Sequence, residues 1–277
     1  MAYNVMAIPK IIHYCWLSDN PVPEDYQKYI KSWKIKLPDY QFMLWDTKRF
    51  DINKTAWTRQ AFDVGMYACA SDYIRFFAVY NHGGIYLDMD MEIIKPFNGL
   101  LNSDLMLAYE NHISENLEAG CFGAVKGHEY IKKCMEYYET NNFFNSEDTE
   151  KIMKMAVSER HDYIMPLISP ELMKNALEYF SDKRYEIYPR EYFTAKNIIT
   201  GVIEQTKNTY TIHHFATQYH SVEWRKHRKI EQEICRVLGE RTLLAKIVRR
   251  IVSIGNRIKR MGVNRAVKYY HKKYMAR

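Results

Sequence analysis

The chain has 277 residues, 47% of them apolar and 14% aromatic, enough for a sizeable core in one large domain or one domain with an appendage. No run of eighteen apolar residues occurs, so no membrane-crossing helix is expected, and Met1 to Lys10 lacks the basic-then-apolar pattern of a secretory signal. The net charge of +7 is uneven: Arg225 to Arg277 carries 17 Lys and Arg against 3 acids, whereas residues 1–224 sum to −7.

Ile8-Pro9-Lys10-Ile11-Ile12-His13-Tyr14-Cys15-Trp16 is almost continuously apolar, as expected of a buried first strand in a parallel sheet. The proline-punctuated loop Asp19–Pro23 follows. Tyr26 to Lys34 is predicted helical, and Tyr40 to Trp45 forms a second strand. Ala68 to Asn81 has helical periodicity, with Tyr73, Phe76, Phe77 and Tyr80 at helix-face spacings. Asp72 and Arg75, three apart, are neighbours on that helix. Gly83 and Gly84 supply the backbone that ends the helix and turns the chain into a strand.

That strand carries the most informative segment, His82-Gly83-Gly84-Ile85-Tyr86-Leu87-Asp88-Met89-Asp90. If it runs on to Glu92, then Tyr86, Asp88, Asp90 and Glu92 share one face, and Ile85, Leu87, Met89 and Met91 pack into a core. Two carboxylates at a strand end suit a hard divalent ion such as Mg²⁺ or Mn²⁺, which often binds through one or two carboxylates plus substrate phosphates. Alone, Asp-x-Asp is a weak signal that more often marks solvated charge.

Further strands are predicted at Leu105–Tyr109 and Gly120–Val125, with a helix at Glu129–Tyr138. Strands alternating with helices indicate an α/β sheet with helices on both faces. Residues 141–190 are less regular, with weak helical patterns at 150–157 and 170–180. They are equally an acceptor-side insertion or part of the core. Tyr210 to Phe215 reads as a last strand ending in His213 and His214, whose side chains point to opposite faces. The five cysteines are odd in number and lack a C-x-x-C pair, which fits reduced thiols in a cytoplasmic protein.

Together, the opening strand, Ser71-Asp72-Tyr73-Ile74-Arg75 and the His82–Asp90 segment resemble the Asp-x-Asp sugar-binding region of family 32 glycosyltransferases. That group includes bacterial capsule and cell-surface polysaccharide enzymes, yeast mannosyltransferases and, more distantly, the glucosylating clostridial toxins. The resemblance spans residues 8–130 and returns near 210–224. It implies a GT-A (Rossmann-like) fold over residues 1–224, a nucleotide-sugar donor, Mn²⁺ or Mg²⁺, and retention of anomeric configuration. By the same resemblance, Asp90 binds metal, and Asp88 reaches the ribose or the metal shell. Asp72 and Arg75 contact the sugar and ribose side, Trp16 with Cys15 meets the base, and Tyr86 packs near the donor. His214 completes the metal shell, with His213 as the alternative. Relatives often follow that histidine with a Ser-Trp pair that binds the diphosphate. Here either Ser221 and Trp224 serve after a shift, or Gln218 and Tyr219 replace them.

Each residue also has a blander reading. Asp72–Arg75 alone reads as a surface pair worth about 0.3 kcal/mol. Trp16 alone reads as core. By the resemblance Glu118 lies where relatives line the sugar pocket, but on its own it reads as a plain loop acid; His13 and His82 read as structural, and no nucleophile is identified. A UDP-sugar is the first expectation for donor and GDP-mannose the second, with a surface-glycan or lipid-linked glycan as acceptor.

Residues 225–277 are expected to form a basic amphipathic helical tail. Leu243, Leu244, Ile247, Val248, Ile251, Val252 and Ile254 form its apolar side, and the flanking Lys and Arg suit an anionic membrane surface. The second class of function is therefore a membrane- or nucleic-acid-binding protein acting through this tail, with the Asp-x-Asp site a metal nuclease or inactive. The net acidic body weighs against nucleic acid. The expected location is cytoplasmic, peripheral on the inner face of the membrane.

Overall fold

The structure is a computed structural model that describes residues 7–111, 115–164, 169–180, 185–216, 222–240 and 242–261. It divides into two compact units. The first comprises residues 1–196 and 203–219, the second residues 197–202 and 220–277.

The first unit is built on six strands: β1 (Ile11–Cys15), β2 (Gln41–Trp45), β3 (Gly84–Leu87), β5 (Leu105–Ala108), β6 (Cys121–Ala124) and β7 (Ile187–Tyr188). Their order is β2-β1-β3-β6-β5-β7. The β2-β1-β3 half is parallel, β6 runs antiparallel to both β3 and β5, and β7 lies parallel to β5. A separate antiparallel ribbon pairs β4 (Met91–Ile93) with β8 (Thr211–His213).

Because successive side chains alternate across a strand, each face of the sheet has its own core. Tyr86, Leu107 and Phe122 face α2 (Ala56–Asp63), α3 (Tyr67–His82) and α4 (Glu129–Thr140), with Trp57, Phe76 and Tyr138 filling the layer. Ile85, Leu87, Met106 and Cys121 face α1 (Glu24–Lys36) and the ribbon, through Trp33, Leu37, Met91 and Ile93. The expected α/β sheet covered on both faces is therefore observed, with antiparallel strands in one half. Residues 141–190 contain α5 (Thr149–Met153), α6 (Val157–Ile164), α7 (Ser169–Leu177) and β7, so this stretch also supplies an edge strand.

One expectation needs correcting. The Asp-x-Asp segment is not a continuous strand: β3 ends at Leu87, residues 88–90 form a turn closed by Met91 N–H donating to Asp88 O at 3.0 Å, and β4 belongs to the other sheet. The turn is the crossing between the two sheets. Its approach is fixed by Gly83 and Gly84, at φ +67° and +105°. A Cβ on Gly84 would lie 2.6 Å from the Ile11 carbonyl oxygen, so β1 and β3 approach this closely only without one.

In the second unit, α8 (Val222–Leu238) and α9 (Leu243–Met261) pack together, with Cys235 and Ala245 buried. The 197–202 loop is bound to α8: Arg228 and Arg236 donate to the carbonyls of Ile198 and Thr200 at 2.9 and 2.7 Å. No described helix is long and apolar enough to cross a membrane.

Candidate active site

The site gathers where β3, the turn, β6 and β8 meet. Pairing of Leu87 with Cys121 brings residues 118–120 beside Asp88, and pairing of Met91 with His213 brings the end of β8 beside Asp90. Asp88 N–H donates to Gly120 O at 2.8 Å, and its Oδ1 accepts from the Tyr86 hydroxyl at 2.9 Å. Asp90 Oδ2 accepts from Ala216 N–H at 2.7 Å, and its Oδ1 lies 3.4 Å from His213 Nε2. Asp88, Asp90 and His213 each offer one ligand atom, all within 4.8 Å of one another.

His213 therefore takes the position expected of His214. The alternation of the strand decides it: His214 turns the other way, holds Glu92 at 2.9 Å and stacks on Tyr29 with ring centroids 4.9 Å apart. His213 is sandwiched instead. Its Nδ1 lies 3.1 and 3.2 Å from the two oxygens of Glu118, and its ring stacks at 4.0 Å on Phe215, which has a positive φ of 51°.

Glu118 is not a loop acid. It is 1% exposed, accepts from Gly120 N–H at 2.6 Å and is also bonded by the Thr194 hydroxyl. Burial pushes the Glu118 carboxyl up, but His213, Thr194 and the Gly120 amide together leave it below its usual value. Asp90 is likewise pushed up by burial and pulled down by His213 and the Ala216 amide, to about 2. Burial lowers His213, yet Glu118 and Asp90 raise it well above the usual imidazole range.

Arg75 lies behind this cluster at 6% exposure. It donates to Ala119 O at 2.8 Å, pairs with Asp72 at 3.0 Å, stands 3.7 Å from Asp88 and lies over the Tyr86 ring, 4.9 Å from its centroid. Its Nε–H finds no acceptor among the described residues. The Asp72–Arg75 pair is buried, which overturns the surface-pair reading. Burial raises Asp72 to about 6, against the pull of Arg75 and a bond from Ser169. Tyr86, 2% exposed, supports Asp88 and Arg75 rather than offering a free ring.

Cys15 ends β1 within electrostatic reach of Arg75, Asp88 and Asp72, its thiol pKa pushed up by burial. Trp16 follows, half-buried, with Nε1–H on Asn20 O at 2.8 Å and its edge against Tyr26. Trp224 is in the first turn of α8, in the second unit. Ser221, Gln218 and Tyr219 lie outside the described residues.

The donor set fits a divalent ion. Two carboxylates favour a hard cation such as Mg²⁺ or Mn²⁺, and the single imidazole is compatible with a first-row transition ion. Gly120 keeps the centre open: a Cβ there would lie 2.8 Å from Asp88 Oδ2, 2.9 Å from Glu118 Oε1 and 3.0 Å from His213 Cε1. Sequence reading set Glu118 aside as a loop acid and missed Gly120 and Thr194: the β3–β6 register brings the first two to the Asp-x-Asp turn, and the segment bonded to Thr211 of β8 through Phe193 O brings Thr194.

Residues 23–107 match the family described as a glycosyltransferase sugar-binding region containing a DXD motif. The chain is 32% identical over 131 residues to inositol phosphoceramide mannosyltransferase 3 of Schizosaccharomyces pombe, covering 45% of this chain and 35% of that protein. It is 27% identical over 114 residues to the initiation-specific alpha-1,6-mannosyltransferase of Candida albicans, covering 37% and 30%. A mannosyl phosphorylinositol ceramide synthase of Saccharomyces cerevisiae is 27% identical over 141 residues, covering 48% and 37%. The chain spans about a third of the length of these curated relatives. Among solved structures, the PaToxG glycosyltransferase aligns with a TM-score of 0.45 and 16% identity, covering 64% of this chain and 71% of that one.

Proposed function

We propose that this chain is a retaining, metal-dependent glycosyltransferase of the GT-A type. The carrying observation is the convergence of Asp88, Asp90 and His213 within 4.8 Å, with the unsatisfied Arg75 Nε–H behind them. A cation held there, Mn²⁺ or Mg²⁺, would neutralise a donor diphosphate and the charge growing on the leaving nucleoside diphosphate. Arg75, itself buried, adds fixed positive charge, which is most effective where water is excluded. Sequence alone ranks a UDP-sugar above GDP-mannose as donor. The relatives named above, mannosyltransferases or mannosyl-transferring synthases, support mannose as the sugar. They also support a lipid-borne or glycan acceptor. Trp16 is proposed as the platform for the base.

The test is thermal stability and nucleoside diphosphate release with MnCl2 and a panel of UDP- and GDP-sugars. A ligand that binds only the folded state at 100 times its Kd adds about 2.7 kcal/mol of stability. A Mn²⁺-dependent shift with one nucleotide supports the reading and names the base. A folded protein that shifts with none, and releases none, removes it.

The second unit is proposed to lie on an anionic membrane surface. Among the described residues, Leu243 and Ile251 are 74% and 63% exposed on one face of α9, with Leu244 and Ile247 beside them, while Ala245 faces inward. Residues 241–277 hold twelve Lys and Arg and no acid. An exposed apolar stripe flanked by cations matches a lipid interface, each cation near it adding about 1 kcal/mol. Changing Leu243, Ile247 and Ile251 to Ser should abolish flotation with phosphatidylglycerol vesicles. Unchanged flotation, or retention on RNA in place of vesicles, would refute this part.

A further inference from the structure

We propose that Glu118 is the positioning residue of the cation site: it fixes the tautomer and ring orientation of His213 so that Nε2 faces Asp90 and Asp88. This inference rests on the metal-dependent reading above.

Both Glu118 oxygens are already committed inside the protein. Oε1 takes the Gly120 amide, Oε2 takes the Thr194 hydroxyl, and both lie against His213 Nδ1. At 1% exposure, and with those lone pairs occupied, Glu118 is available neither as a nucleophile nor as a cation ligand. Its remaining capacity is to hold partners. A carboxylate accepts only, so the ring nitrogen facing it carries the proton and the other nitrogen, Nε2, is the one free to ligate. Metal-ligating histidines characteristically donate their second N–H to a carboxylate or carbonyl, which fixes the tautomer and raises ligand basicity.

The arrangement reaches the other ligand as well. The Gly120 whose amide Glu118 holds accepts from Asp88 N–H at 2.8 Å. Arg75 holds Ala119 O between them at 2.8 Å. Residues 118–120 thus set His213 through a side chain and Asp88 through the backbone. Phe215 closes the free face of the imidazole at 4.0 Å, so the ring is fixed in plane as well as in rotation.

The experiment titrates the 277-residue chain with MnCl2, alone and with UDP or GDP, following free Mn²⁺ by electron paramagnetic resonance. It compares wild type, Glu118→Gln, His213→Ala and the double variant, with urea midpoints for each. Glu118→Gln keeps the shape and removes the charge. It should raise the Mn²⁺ dissociation constant about 10- to 100-fold, and the effect should vanish in the His213→Ala background, since the two act through one contact. Should Glu118→Gln fail to fold, Thr194→Val, which removes one bond to Glu118, provides the smaller step in the same direction. Wild-type Mn²⁺ affinity in folded Glu118→Gln would overturn the positioning role and leave the metal reading standing. An equal loss with and without His213 would assign Glu118 a merely structural part, and this also overturns the proposal. Absence of Mn²⁺ binding in folded wild type would remove the metal reading, and the positioning role with it.

Discussion

Adding one methyl group at Gly120 tests the site geometry most directly. The Cβ of Gly120→Ala would meet Asp88 Oδ2 at 2.8 Å, Glu118 Oε1 at 2.9 Å and His213 Cε1 at 3.0 Å. Comfortable carbon contacts begin at about 3.5 Å, so each neighbour must retreat by roughly half an ångström. Asp88 is held by Gly120 O and the Tyr86 hydroxyl, and Glu118 by Gly120 N–H and Thr194, so none is free to yield alone. Overpacking of this kind costs about 1–3 kcal/mol of stability, which a folded domain of ordinary stability survives. Ligand distances, by contrast, tolerate only about 0.2 Å. Misplacement on this scale is expected to lower turnover about 100-fold, close to 2.7 kcal/mol in the barrier. The assay is Mn²⁺-dependent release of nucleoside diphosphate, with urea denaturation run in parallel. Wild-type turnover in the alanine variant would refute the idea that the open space at Gly120 is where the cation and diphosphate meet.

Other perturbations separate the roles of neighbouring groups. His213→Ala should weaken Mn²⁺ binding strongly while leaving it measurable at high MnCl2, whereas His214→Ala should leave it at the wild-type level; the reverse result in a titration would return the ligand role to His214. Arg75→Ala leaves Asp72 and Asp88 without their buried partner and should cost about 3–5 kcal/mol in urea unfolding; a loss below 1 kcal/mol would mean the pair is not desolvated. Asp72, raised to about 6, favours its protonated form in the fold. Its contribution is therefore complete below the unfolded value of about 3.9 and is lost as pH rises through about 6. Between pH 4 and 7 this contributes a fall of about 2 kcal/mol, which Asp72→Asn should remove; equal slopes for both proteins would refute the assignment. Asp90 has the opposite sign: lowered to about 2, it contributes above the unfolded value and loses that contribution as pH falls toward 2.

The fold was legible where local pattern and tertiary environment agree. The run of apolar residues in β1, the periodicity of α3 and the Gly-Gly turn each describe themselves, because burial on one face imposes the spacing. The Asp-x-Asp segment was misread as one strand because its alternation of apolar and polar residues continues across the turn. A two-residue period does not reveal a change of sheet. His213 against His214 was decided by register, which no local pattern encodes. Glu118 was set aside for want of a local signal. An acid in Asn116-Leu117-Glu118-Ala119-Gly120 looks solvated until strand pairing buries it against a histidine 95 residues away.

The position of the Asp-x-Asp turn between two sheets has a mechanical consequence. Asp88 is held to the six-stranded sheet through Gly120, whereas Asp90 and His213 belong to the ribbon side. An ion ligated by all three would act as a cross-link, tying together chain positions roughly 125 residues apart without a covalent bond. Loading the site would then clamp the ribbon against the main sheet, so that β8 becomes protected from exchange as the ion enters. Occupancy of a small inorganic site would in this way be felt as stiffness along the β4–β8 ribbon.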